Sequence, residues 1–295
     1  MNRLLKDKLA SKSMMVLTGL SGLLLFVMIA ALFVKSWPIL ALKPISQLLL
    51  GTSWGPSRGQ FGFLPFIVGT LWVTGVAIII AVPLCLLTSI YLSEYCPHRL
   101  KEWAKPPIDL LAGIPSVVYG VWGVVVVVPF IKDRIGPMFG SFTTGYSVLA
   151  GGIVLAIMIF PVIIHISLEV LSAVKFEMRE VSLALGATKW QTVKFVILRK
   201  ALPGILAAVV LGLSRAFGET MAVLMVTGNV ARMPHSVFDP AYTLPALIAN
   251  NYGEMLSIPL YDSALLLASL ILLLVTLAFN ILSQMVLVRL ERRTV

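Results

Sequence analysis

Six apolar stretches, each long enough to cross a lipid bilayer, dominate this 295-residue sequence and decide what it can become. They run at roughly 14–36, 64–93, 108–130, 147–172, 202–230 and 262–288. About 20 mostly apolar residues in helical form span the hydrocarbon core. In lipid, every backbone polar group needs a partner within the protein, so repeated runs of this length fold as helices. The sequence therefore reads as an all-α polytopic membrane protein with six transmembrane helices. Only 12% of its residues are charged and 59% are hydrophobic. Soluble domains carry about 25% charged residues, so a soluble enzyme of this size is excluded.

The remaining charges alternate with the spans. Of 23 Lys and Arg residues, 16 fall in the N-terminal segment, 94–107, 173–201 and 289–295. The intervening segments 35–63, 131–146 and 231–261 hold 6, and Arg215 lies inside a span. Lys and Arg accumulate on the cytoplasmic side of membrane proteins, so both termini are expected there. A net charge of +10 in a soluble chain would point to nucleic acid, but basic residues parcelled out between spans do not form a nucleic-acid stripe. Arg3, Lys6, Lys8 and Lys12 precede the first run as in a secretory signal. That run, Met14 to Val34, is longer than a signal core and no small-x-small cleavage site follows, so it is expected to stay as an anchor.

Enzyme chemistry is missing from the sequence. Cys85 and Cys96 share no outer loop and no Cys/His group has zinc spacing, so neither a disulfide nor a metal site is expected. No catalytic nucleophile or acid–base set stands out. The Gly-x-x-x-x-Gly-Lys phosphate loop is absent, so the chain is not expected to hydrolyse ATP itself. His165 and the tryptophans read as packing or interface anchors rather than ligands.

Two segments carry the functional signal. In the fifth run, Ser214-Arg215-Ala216-Phe217-Gly218-Glu219-Thr220 places Arg215 and Glu219 four residues apart, on one face of a helix over 202–230. A single charge at the centre of a membrane helix costs at least about 2.5–3.5 kcal/mol, so the pair must face protein or water. One reading is an internal ion pair, which desolvation makes a weak stabiliser. The other uses the planar, paired donors of Arg215 to contact an anion, with Glu219 restraining it when the path is empty. Thr220 adjoins the pair. Ser116 follows Gly113-Ile114-Pro115, where a helix break is expected and Ser116 is placed to satisfy a freed backbone group. Arg215, Glu219, Thr220 and Ser116 are the candidate substrate-pathway residues. Gly204, Ala208, Gly212, Ala216 and Thr220 also form a row of small residues, which favours close crossing against a partner helix.

The second segment is the basic loop 173–201. Val181, Ala184 and Leu185 at spacings of three and four predict a short helix, Gly186 its end, and Trp190, Val193 and Val196 a second amphipathic stretch. Two short helices across a glycine corner would form an amphipathic knob at the membrane surface.

Glu180, Gly186 six residues on, and the apolar-Leu run at 196–198 resemble the EAA motif of ABC importer permeases. Val181-Ser182 stand for Ala-Ala, and Arg199 stands where the motif has Pro, with Leu202-Pro203 following. Leu64-Pro65-Phe66-Ile67-Val68-Gly69-Thr70, Ile90-Tyr91-Leu92-Ser93-Glu94-Tyr95, Gly113-Ile114-Pro115-Ser116-Val117-Val118-Tyr119-Gly120 and Gly186-Ala187-Thr188-Lys189-Trp190-Gln191-Thr192 extend the likeness over 61–288. Together they resemble the phosphate permeases of ABC importers, of the PstC rather than the PstA type.

That resemblance implies a type I ABC importer permease fold whose core spans 61–295, preceded by a tail, anchor helix and outer loop over 1–60. It implies an ATPase-coupling site at Glu180, Val181, Ser182, Ala184, Leu185, Gly186, Ala187 and Thr188. It further implies a heterodimer with a PstA-like permease, two PstB-like cytosolic ATPases and a PstS-like extracytoplasmic phosphate-binding protein, in the inner membrane of a prokaryote. No cofactor is expected on this chain, since ATP and Mg belong to the ATPase. The binding protein would dock on 37–63 and 231–261, the latter carrying Asp239, Glu254 and nearby Asp262. Another oxyanion, such as molybdate or sulfate, is the alternative cargo. An ion-coupled secondary transporter would call for several intramembrane carboxylates or paired discontinuous helices.

Overall fold

The computed structural model describes residues 2–253 and 258–294. Six helices are long and apolar enough to cross a membrane: Asp7–Leu42, Leu64–Tyr95, Ser116–Met138, Val148–Ser172, Lys189–Gly218 and Tyr261–Leu282. They are called here the first to sixth spans. A short antiparallel hairpin pairs Trp54–Gly55 with Gln60–Phe61 and packs Trp54 among Phe61, Phe63 and Phe66.

The second and fourth spans form the heart of the molecule. Gly151 faces Val73 and the Ser89 hydroxyl reaches the Ile164 carbonyl at 3.4 Å, so the two helices run side by side in the same direction. Lipid supplies no hydrophobic drive between helices, so they associate through close backbone contact at small residues. A methyl group on Gly152 would come within 2.4 Å of Val76 Cγ1. Gly152→Ala is therefore expected to destabilise the chain by about 1–3 kcal/mol through overpacking, read as a lower thermal transition in detergent. An unchanged transition would show that the contact is slack.

The fifth span crosses the fourth in the opposite direction, with Gly204 against Val170 and Gly212 against Ile163. Ala208 and Ala216 are buried as well. Gly204 and Gly212 of the row of small residues thus pack on the fourth span within this chain, while Thr220, its last member, lies beyond the end of the helix. The first span is peripheral. Its membrane-length apolar surface is exposed, and its C-terminal end, at Leu32 and Ile39, joins the cluster around Tyr261 and Ala264 of the sixth span.

Two of the six expected boundaries are wrong, and both errors have a backbone cause. The third span is not 108–130 but Ser116–Met138, because a separate helix, His98–Gly113, precedes it. Ile114 and Pro115 are extended (ψ 129° and 143°), as the residue before a proline prefers, and they divide the two helices. His98–Gly113 is amphipathic, burying part of Ile108 and Leu111 against the core and exposing Leu100, Trp103 and Leu110. The fifth span is not 202–230. It begins at Lys189 and ends at Gly218, where Glu219 turns extended (φ −72°, ψ 128°). A second, short helix, Met221–Val226, then carries the chain on.

Candidate functional site

Helix breaks at membrane depth are tolerated only where other protein or a water-filled path satisfies the freed groups. At the first break, Pro115 has no N–H to offer the Leu111 carbonyl four residues back. The Tyr119 hydroxyl donates to that carbonyl instead, at 2.7 Å. This is the task expected of Ser116, which lies half-buried beside the break and is not the donor. At the second break, Glu219 Oε1 accepts from the Ala222 N–H at 3.2 Å and so caps the short helix that follows. The two short helical segments, Ser116–Trp122 and Met221–Val226, pack on each other: a Cβ on Gly120 would sit 3.2 Å from Ala222 Cα.

The break also separates Arg215 from Glu219. A four-residue spacing brings side chains together only on a continuous helix, and this helix ends between them. The expected Arg215–Glu219 ion pair is not formed; the ion pairs among the described residues are His98–Glu102, His165–Asp109 and Arg179–Glu94. Arg215 is instead exposed, in the last helical turn, where a cation complements the negative end of the helix dipole. It lies within electrostatic reach of the Tyr119 phenol, and hence close to the first break. Glu219 lines a narrow crevice with Thr70, Thr74 and Thr243. Thr220 opens on a different side, onto a groove of about 440 Å³ with Pro245, Ser269 and Thr276. Of the four expected pathway residues, Arg215 lies near the break that precedes Ser116, while Glu219 and Thr220 line other clefts.

The loop 173–201 has the form its sequence predicts. Phe176–Ala184 is helical, Gly186 turns the corner at φ +84°, and Lys189 opens the next helix. Only glycine adopts that left-handed conformation freely. Thr188 Oγ1 accepts from the Gln191 N–H at 3.3 Å while Gln191 Oε1 accepts from the Thr188 N–H at 2.8 Å. This reciprocal cap, readable as Thr-x-x-Gln, was not anticipated. Ser182 and Thr192 hydroxyls meet at 2.9 Å and tie the two helices together. Glu180, Val181, Ala184, Leu185, Gly186 and Thr188 are exposed, and Ser182 and Ala187 half-buried. Phe176, Val181, Leu183, Leu185 and Trp190 leave a large apolar surface uncovered on this knob. Contiguous apolar patches of that kind mark protein or membrane contacts.

Three ionic contacts were not foreseen. His165 is not a mere packing residue: its Nε2 lies 2.7 Å from Asp109 Oδ1, joining the fourth span to the His98–Gly113 helix. Arg179 and Glu94 form a half-buried pair between the loop and the second span. His98 and Glu102 are neighbours one helical turn apart. At the opposite end, Asp239 Oδ2 accepts from the His235 and Ser236 N–H groups, each at 2.9 Å, so this carboxylate is committed to a local turn. Asp262 lines a groove with Lys35. Glu254 lies outside the described residues. Both cysteines are free thiols.

Residues 85–295 match the family described as binding-protein-dependent transport system inner membrane component. The chain is 44% identical, over 75% of its length and 70% of the relative's, to a probable ABC transporter permease protein, YqgH, of Bacillus subtilis (strain 168). It is 36% identical, over 90% of its length and 84% of the relative's, to the phosphate transport system permease protein PstC of Mesorhizobium japonicum. Among solved structures it resembles the inward-facing MetNI methionine ABC transporter, with TM-score 0.61 and 17% identity, covering 81% of this chain and 99% of that one. At that identity the likeness concerns the fold alone.

Proposed function

Because the chain belongs to the family of binding-protein-dependent transport system inner membrane components, we propose that it is the permease subunit of an ATP-driven phosphate importer. The observation that carries this reading is the 36% identity to a phosphate permease over nine-tenths of the chain. The type I importer fold and the six apolar spans agree with it. The family's description supplies the first partner, an external binding protein that delivers the cargo.

The basic loops 94–107 and 173–201 then face the cytosol together with both termini, in the inner membrane of a prokaryote. Residues 1–60 supply a tail, an anchor helix and an outer loop, and 61–295 the permease core. The knob from Glu180 to Thr188 docks on a cytosolic ATPase; its uncovered apolar residues give that partner a surface to grip. ATP and Mg are handled there, and this chain contributes no catalytic residue. A PstA-like permease covers the exposed face that carries Arg215, so the path runs between the two chains. The anion passes Arg215, which is exposed and forms no ion pair among the described residues. Glu219 shapes the path indirectly, by holding the backbone break that ends the helix behind Arg215. Ser116 flanks the passage, while Thr220 opens onto the separate groove beside Pro245.

The test is reconstitution of the chain with its second permease, ATPase and binding protein in liposomes. ATP-dependent uptake of radiolabelled phosphate is expected, with none from this chain alone. Uptake of molybdate or sulfate in place of phosphate would move the cargo to another oxyanion. Uptake by this chain alone on an ion gradient would refute the reading.

A further inference from the structure

The helix Phe176–Ala184 has no fully buried residue of its own, so apolar packing holds it only loosely to the membrane domain. Beneath it lies a cavity of about 510 Å³ whose walls include Lys101, Phe176, Leu183 and Thr192. One polar assembly bridges that space. The second span ends in a wide turn, Tyr91–Tyr95, closed by a Cys96 N–H to Tyr91 carbonyl bond of 2.8 Å. The inserted residue of such a turn re-aims the side chains around it. Glu94 sits in this turn. Its Oε1 accepts from Arg179 Nη2 at 2.8 Å and from the Ser93 hydroxyl at 2.9 Å, and its Oε2 accepts from Arg179 Nε at 3.2 Å. The remaining donors of Arg179 go to the Leu171 carbonyl at 2.9 Å and to the Val174 carbonyl, at the end of the fourth span. One guanidinium therefore joins the ends of two spans to the loop helix. The pair is well shielded, with Glu94 7% and Arg179 16% exposed.

We propose that Glu94 is a positioning residue for energy coupling: through Arg179 it makes the loop helix move as one body with the second and fourth spans. Besides this clamp, the turn at 173–175, the glycine corner and the Ser182–Thr192 contact tie the helix to its surroundings. A displacement imposed on the knob would be absorbed by bending into the cavity. With the clamp closed, the same displacement reaches the second and fourth spans, which pack closely on each other. A bidentate Arg–carboxylate pair suits this task, because its planar fork resists rotation as well as separation.

This inference rests on the importer reading, and its test separates the two. Wild-type, Glu94→Gln and Arg179→Lys chains are assembled with the second permease, ATPase and binding protein in liposomes. Phosphate uptake and ATP hydrolysis are measured in parallel. Glu94→Gln is expected to lower phosphate moved per ATP hydrolysed by at least about fivefold, the low end of typical coupling free energies, with hydrolysis retained. Arg179→Lys, which keeps the cation but loses the fork, should show a smaller drop in the same ratio. An unchanged ratio in either assembled variant would overturn the proposal. So would joint loss of uptake and hydrolysis in both variants, whether through failed assembly or a dead complex, since the pair would then only hold the fold. Absence of ATP-driven phosphate uptake in the wild-type assembly would instead overturn the importer reading.

Discussion

Replacing Arg215 with glutamine is expected to cut ATP-driven phosphate uptake by roughly ten- to a hundred-and-fifty-fold while the transporter still assembles. The magnitude follows from removing hydrogen bonds to a charged group, worth about 1.5–3 kcal/mol. Assembly should survive because the side chain is exposed and makes no ion pair among the described residues. Arg215→Lys should fall between the two, since an ammonium keeps the charge but cannot present paired, coplanar donors to phosphate oxygens. The decisive measurement is the initial rate of radiolabelled phosphate uptake, set against the amount of intact complex recovered. Normal uptake by the glutamine variant would remove Arg215 from the path.

The second large effect lies at the other end of the machinery. Leu185 is 83% exposed and precedes Gly186, the left-handed corner of the knob. Leu185→Asp should weaken binding of the ATPase to the permease pair by about thirtyfold or more, the scale of a buried interface anchor. The permease itself should unfold within about 0.5 kcal/mol of the wild type, as surface substitutions do. A titration of purified ATPase against permease held in nanodiscs reads the first quantity and thermal unfolding the second. Unaltered ATPase affinity would mean that another part of the loop makes the contact.

Much of this architecture was legible because lipid enforces helices and apolar length marks them. All six spans stand out in that way. The third was misplaced because Ile108, Leu110 and Leu111 look like membrane sequence, although they belong to an amphipathic helix that ends at Gly113. Pro115 was visible, but whether a proline bends a span or begins one depends on what donates to the freed carbonyl. Here Tyr119 does so, from eight residues away. Arg215 and Glu219 were found, and their relation was misjudged: a spacing rule that holds on a continuous helix fails across Gly218. The glycine corner at 186 was legible from local backbone preference, and the Thr188–Gln191 cap could have been read the same way. Glu94 and Arg179 could not, since 85 residues separate them and no local pattern pairs a residue at the end of one span with a loop after another.

The arrangement of the first span has a consequence for how the chain is made. Its main partner is the sixth span, which begins at Tyr261, while its own helix ends at Leu42. At about 5–20 residues per second, a ribosome needs roughly ten to forty seconds to cover the interval between them. Throughout that time the first helix must wait in the bilayer as a solitary segment. Its uniformly apolar surface allows the wait, because lipid solvates it as well as protein would. The inner spans can meanwhile associate among themselves, and the sixth helix then inserts beside a neighbour synthesised long before it.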